Sequence, residues 1–447
     1  MNSSNPILRD NSPVDSKELA KRCLEIQRLI DQGNYFLVDL MDLSGLRPGE
    51  RPQIFRKEEG QLRTGNYVGV FEYPVEDRTE SVIIGSRFDE GRAGFFLRAM
   101  FEDCWDTPLL FLEESWRNPA NNPYDLLLAM RLAMQLERTW KHGQLRLYQG
   151  RKQYDSRVQG RLDLPRQIRE NMGLTDGRMA YVMREYTEEH VYTILFLKAL
   201  LEAERIHPDF MRRLREERSR FRLSRQDLLQ QASGGERADK HTLLARTKKR
   251  ITNPVYREYE TLRVISRAVL RRMNGYQPME KDQIPFVTGV FLDISQLWEL
   301  YLAEKVFSRT SPEPRRDYYQ KSVSILEGAL NIRPDFWWAE KKIVLDAKYR
   351  PVWAEVYRRF PEETRENVYQ VLSYMLALDC TRGGVIFPAG SPGQAPKAFQ
   401  LSGLVQRTFW LAGFAVPAEK ADYAVFRGEM DREAERLARD LAGSVFR

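Results

Sequence analysis

The segment Ile332 to Arg350, IRPDFWWAEKKIVLDAKYR, holds two carboxylates and a lysine at spacings that suit phosphodiester hydrolysis. It reads as two short apolar strands joined by a polar turn at AEKK. If Trp338 pairs with Ile343 across that turn, Asp335 falls opposite Asp346, and cross-strand partners share a face. Side chains alternate along a strand with period two, so Lys348 joins Asp346 on that face. Two facing carboxylates suit a hard divalent cation, Mg2+ or Mn2+, which keeps several waters and can take a phosphate oxygen. The cation would acidify a bound water and stabilise charge developing on the phosphate, while the lysine orients that water. The bland alternative is a surface hairpin whose Asp346 and Lys348 form a solvated ion pair, since a bare D-x-K string is common in a charged chain.

Other residues could serve that chemistry if the right elements surround the hairpin. In NVYQVLSYMLAL, Gln370 and Tyr374 stand four apart and lie on one helix face. The following GGVIFP reads as a strand, giving the order helix, strand, strand, helix, strand. Upstream, VFLDISQLWELYLAEKVFSR reads as a helix, and its Glu299 would add a further acidic group.

Nearer the N-terminus, a short helix is expected around Ser16 to Gln32, then strands at YFLVDL, NYVGVFEY and SVIIGSRF. From Gly94 the pattern turns helical, with FFLRAMFEDCW and NPYDLLLAMRLAMQLERTW. YQGRKQYDSRVQGRLDLPRQIREN follows as a strand and turn leading into a helix, and EEHVYTILFLKALLEAERI as an amphipathic helix. The chain therefore divides into a β-rich N-terminal module (1–110), a mostly helical middle region (111–275) and an α/β C-terminal domain (276–447). The fold class expected is α+β and multidomain.

Charge is unevenly spread. Residues 205 to 275 carry 19 Lys/Arg against 8 Asp/Glu, which leaves the remainder of a +7 chain at −4. Such a stretch is the footprint a polyanion would need, or else an Arg-rich solvated helical face. The cysteines Cys23, Cys104 and Cys380 form no CxxC pair, and His142, His190, His207 and His241 are scattered, so neither a zinc site nor a histidine triad is indicated. The N-terminus is polar and no run of about 18 apolar residues occurs, so a soluble cytoplasmic protein with no membrane association is expected.

Taken with NYVGVFEY, VQGRLDLPRQI, REYTEEHVYTILFLKALL, LWELYLAEKV, RPDFWWAEKKIVLDAKYR and VYQVLSYM, the chain resembles the McrC family. Members are the endonuclease subunits of McrBC-type modification-dependent restriction systems, within the PD-(D/E)xK nuclease superfamily. The resemblance implies a C-terminal restriction-endonuclease-like domain that cuts double-stranded DNA for anti-phage defence. It implies Asp335 and Asp346 as metal ligands, Lys348 as the catalytic lysine, and Glu299 as the N-terminal acidic residue of the nuclease core. Gln370 and Tyr374 would support the site or the DNA. It also implies a partner, an McrB-like AAA+ GTPase or ATPase hexamer, with the part ahead of the nuclease, here the N-terminal module, as the motor-docking candidate. No GxxxxGK[ST] loop occurs, so nucleotide hydrolysis must come from another chain. Two other readings stay open at this point: a stand-alone nuclease of DNA processing or repair, and a non-catalytic assembly subunit.

Overall fold

The computed structural model describes residues 7–40, 50–58, 60–75, 78–89, 94–105, 123–171, 176–232, 237–272, 287–325, 328–350, 362–390, 395–401, 406–418 and 422–447. The chain forms two compact units, one from residues 1–121 with 279–447 and the other from residues 122–278. The second unit is thus a continuous insertion in the first. The three-part division read from the sequence does not coincide with these two units.

The first unit opens with β1 (Ile7–Arg9), α1 (Lys17–Asp31), β2 (Tyr35–Asp39), β3 (Phe55–Glu58), β4 (Gln61–Thr64), β5 (Tyr67–Val75), β6 (Arg78–Gly85) and α2 (Phe95–Trp105). Ser16 caps α1, its Oγ accepting from the Leu19 N–H at 3.4 Å, as a short polar side chain does before a helix. Along α1, Cys23, Ile26, Leu29 and Ile30 fall on one face and pack with Phe71, Tyr73, Val82 and Ile84 of the sheet behind it.

The insertion comprises α3 (Pro123–Trp140), β7 (Leu147–Asp155), β8 (Arg161–Leu162), α4 (Leu164–Asn171), β9 (Met179–Thr187), α5 (Val191–Ile206), α6 (Pro208–Glu217), α7 (Ser219–Gln231), α8 (Lys240–Arg246) and α9 (Arg257–Arg272). β7 and β9 form a long antiparallel ribbon with Tyr148 opposite Tyr186, and β8 pairs with the far side of β9. The helices α3, α5 and α9 pack together around Leu128, Leu132, Leu195, Leu262 and Val269. The basic stretch covers α6 to α9, and much of its charge is already met. Arg218 pairs with Glu137 at 2.7 Å, Arg225 with Glu204 at 2.5 Å, Lys240 with Glu202 at 3.2 Å and Arg263 with Glu260 at 2.7 Å.

The chain returns to the first unit as β10 (Val287–Asp293), α10 (Ile294–Tyr301) and a π-helical turn, Leu302–Phe307. The sequence reading ran one helix from Val290, and the structure corrects this. VTGVFLD is an apolar, partly β-branched run that fills the gap between β5 and β2, giving the sheet order β1-β6-β5-β10-β2. The helix begins only where Asp293 caps it, accepting from Ser295 N at 2.9 Å and Gln296 N at 3.4 Å. Across the β5–β10 ladder Gly69 sits opposite Phe291 with a φ of 153°, and a Cβ there would meet the Val290 carbonyl oxygen at 2.2 Å. Only glycine admits that close approach.

Beyond the hairpin of β11 (Val323–Ile325) and β12 (Leu330–Ile332) comes a second five-stranded sheet. It contains β13 (Phe336–Trp338), β14 (Ile343–Ala347), β15 (Arg382–Ala389), β16 (Lys397–Gln400) and β17 (Thr408–Ala415) in the order β13-β14-β15-β17-β16. β14, β15 and β17 run parallel, and both edge strands are antiparallel to their neighbours. The crossover from β14 to β15 carries α11 (Arg365–Ala377), which buries Val371 and Met375 against Val344, Val385 and Phe387. The C-terminal helix α12 (Tyr423–Ser444) packs against β17 and α2. Fold class is therefore mixed α+β, with several small sheets.

Candidate functional site

β13 and β14 pair with Trp338 opposite Ile343, Trp337 opposite Val344 and Phe336 opposite Leu345. This is the register on which the facing of Asp335 and Asp346 depended. One step beyond the ladder, the Asp335 carboxylate accepts from the backbone N–H of Ala347 at 2.8 Å, which ties it to the strand that bears Asp346. Lys348 continues β14, its N–H donating to the Ile386 carbonyl at 2.9 Å.

On the face of the sheet covered by α11, apolar Val344 gives way to Asp346 and Lys348 toward the end of β14. Lys348 Nζ stands 2.6 Å from Asp346 Oδ2 and donates to Gln370 Oε1 at 3.1 Å; Gln370 Nε2 in turn donates to Tyr374 Oη at 2.9 Å. Asp346, Lys348, Gln370 and Tyr374 thus form one continuous polar line from β14 to α11. Asp346 is 2% exposed, and its Oδ2 is met by the Lys348 ammonium at ion-pair distance without hydrogen-bond geometry. That ammonium offsets part of the cost of burying the carboxylate.

Glu299 comes from α10. It is buried, and its Oε2 accepts from Gln320 Nε2 at 2.6 Å. Burial pushes its carboxyl up to about 7, with the negative charges of Asp346 and Asp293 adding to the effect and the Gln320 hydrogen bond and Lys348 opposing it. Asp335 is raised well above the ordinary carboxylate range, by burial first and then by the charges of Asp346 and Glu299. The three carboxylates are therefore one electrostatic cluster with the Lys348 ammonium beside it.

Among the described residues no group of three or more His, Cys, Asp or Glu side chains is arranged to hold a metal ion. What the site offers is a pair of oxygen-donor side chains on adjacent strands, Asp335 tied to the backbone of β14 and Asp346 ion-paired with Lys348. That donor set fits a hard divalent cation retaining several of its waters rather than one caged by protein ligands.

The strand end is anchored from the first sheet. Tyr349, next to Lys348, is buried, shares a 2.6 Å hydrogen bond with Ser86 Oγ, and packs its ring edge-on against Phe88 at 4.9 Å between centroids. Neither Ser86 nor Gln320 was singled out in the sequence. SRF and YYQKS have no recognisable spacing to the acidic residues, and only the folded chain brings them there.

The family model described as "McrBC 5-methylcytosine restriction system component" matches residues 62–388. Among solved structures, the chain is similar to a refined half-complex from the tetradecameric assembly of Thermococcus gammatolerans McrB AAA+ hexamers with bound McrC. Identity there is 14%, covering 98% of this chain and 99% of that chain, with a TM-score of 0.48. A cryo-EM structure of the McrBC complex of the same organism matches at 13% identity over 69% of this chain and 89% of that chain, with a TM-score of 0.30. No curated protein matches the chain. With both structural scores below 0.5, membership rests on the family match.

Proposed function

Since this chain belongs to the McrBC 5-methylcytosine restriction system component family, we propose that it is the subunit that cuts DNA, a PD-(D/E)xK-type endonuclease using Mg2+ or Mn2+. The observation that carries the reading is the pairing register that sets Asp335 beside β14, with Asp346 and Lys348 on the face that meets Gln370. A solvated surface hairpin would not bury Asp346 or anchor Lys348 to a neighbouring helix.

In this reading Asp335 and Asp346 hold the divalent ion, with Glu299 as a further acidic group behind them. When bound, that ion supplies Lewis acidity toward a phosphate oxygen and a water acidified enough to attack near neutral pH. Lys348 neutralises charge on the scissile phosphate and orients the attacking water by donating from Nζ. Gln370 keeps that ammonium in place by accepting from it, and Tyr374 fixes the Gln370 amide in turn. The ammonium is thereby preorganised rather than free to swing into solvent.

Energy for locating or reaching the target belongs to a partner of the McrB-like AAA+ class, using GTP or ATP, because this chain has no phosphate-binding loop of its own. The N-terminal module is the docking surface we assign to that motor, and double-stranded DNA is the substrate. Among the described residues no helix is long and apolar enough to cross a membrane.

The test is cleavage of methylated and unmethylated duplex DNA in Mg2+, by the protein together with an McrB-like AAA+ partner. Asp346→Ala and Lys348→Ala should each slow cleavage by about a hundredfold or more. Wild type with its motor leaving both substrates intact, or variants cutting at the wild-type rate, would overturn the assignment.

A further inference from the structure

Gln320 lies outside every motif in the sequence, between the short helical turn Arg315–Tyr318 and β11. Its φ is 46°, in the left-handed region that a residue with a Cβ enters at an energetic cost. Several bonds hold it there. Its N–H donates to the Asp335 carbonyl at 2.8 Å, its carbonyl accepts from Arg333 Nε at 3.1 Å, and the adjacent Tyr319 bridges to Phe336 at the start of β13. A backbone kept in a sparsely populated region by several converging contacts is a frequent mark of a functional position.

The side chain is equally committed. Its Nε2 donates to Glu299 Oε2 at 2.6 Å and to Gln296 Oε1 at 3.0 Å, and its Oε1 accepts from the Arg333 guanidinium. Arginine offers only donors, while an ionised carboxylate only accepts, so these partners fix which end of the amide faces which. The result is a relay from exposed Arg333 through Gln320 to buried Glu299, and the same residue grips the backbone of Asp335. One residue therefore spans the helix that carries Glu299 and the strand start that carries Asp335.

We propose that Gln320 is a positioning residue for the acidic cluster: it aims Glu299 toward Asp335 and Asp346, with Arg333 locking the amide, and so tunes how strongly the site takes a divalent cation. This rests on the nuclease reading of the same site. Gln320 touches neither the DNA nor the ion in this role and acts through Glu299.

The experiment compares full-length wild type, Gln320→Ala, Gln320→Gly, Glu299→Gln and the double variant Glu299→Gln/Gln320→Ala. Mn2+ affinity is measured by electron paramagnetic resonance without DNA, and the Mg2+ dependence of cleavage with the motor present. Glycine adopts a φ of 46° without penalty, so Gln320→Gly deletes the amide while preserving the backbone. Both single Gln320 variants should weaken Mn2+ binding by about 10- to 100-fold and shift the Mg2+ requirement upward by a similar factor, with KM for DNA unchanged. The double variant should bind Mn2+ no worse than Glu299→Gln alone, as expected of residues that act as one unit. Wild-type affinity in Gln320→Gly, or an undiminished Gln320→Ala effect in the Glu299→Gln background, overturns the proposal while leaving the nuclease reading intact. Wild type that cuts nothing with its motor present removes both.

Discussion

Glu299 sits between opposing influences. Burial and the charges of Asp346 and Asp293 favour its neutral form, while the Gln320 amide and Lys348 favour the carboxylate, and the balance leaves it near 7 rather than its ordinary 4.5. The folded chain therefore holds this proton more tightly than the unfolded chain does. The stability it contributes is fully present below about pH 4.5 and is lost as the pH rises through about 7. Glu299→Gln cannot ionise, so in metal-free protein its Tm should climb relative to wild type across that window and level off above it. Saturating Mg2+ should close the gap by neutralising the cluster. A difference in Tm that ignores pH would mean that burial of Glu299 is not felt as charge. Asp335, Asp346 and Lys348 were legible before folding because a hairpin register follows from alternation and turn length alone. Gln320 was not, because a left-handed backbone at a glutamine leaves no trace in the sequence.

At the scale of elements, α11 must lie close over the second sheet for Gln370 to reach Lys348. Of the two adjacent glycines at the start of β15, Gly383 permits this, while Gly384 makes room for the neighbouring strand β17 on the other face. A Cβ on Gly383 would meet Met375 Sδ at 2.3 Å, and one on Gly384 would meet the Trp410 carbonyl oxygen at 2.4 Å. A methionine side chain can swing aside, whereas a strand backbone cannot. Gly384→Ala should therefore lower Tm more than Gly383→Ala, while Gly383→Ala, which presses on α11, should cost more in cleavage per degree of Tm lost. Thermal denaturation and cleavage rates on the same preparations separate the two, and an equal loss of Tm would argue against this account of the packing. The helices α1, α2, α3 and α5 were readable from capping residues and 3.6-residue periodicity. The strand β10 was not, because VFLD continues without a break into an apolar helix and only the vacant position between β2 and β5 decides between the two states.

For the molecule as a whole, the excess of arginine and lysine in residues 205–275 suggested a polyanion surface, and the structure spends much of it internally. Arg218 and Arg225 make bidentate contacts with Glu137 and Glu204, all four side chains being largely shielded from solvent. Breaking such a pair strands its partner's charge. Arg218→Ala and Arg225→Ala should each lower Tm measurably while leaving the salt dependence of DNA binding unchanged; a flatter slope of log affinity against log salt would instead place these cations on phosphates. Exposed Arg246, Lys248 and Lys249 are the better candidates for a polyanion contact. A sequence displays total charge but not its pairing, which is settled by which helices become neighbours.

The place of β10 between β5 and β2 in the first sheet bears on how the protein is made. Until the ribosome has passed residue 293, β5 presents an unpaired edge and β2 lacks its strand partner, and the whole insertion is synthesised during that wait. Closing the sheet and starting the helix that delivers Glu299 are consecutive events on the chain, with Asp293 ending one element and capping the next. An unfinished chain therefore carries open strand edges and no assembled acidic cluster, which forms only after the insertion is complete.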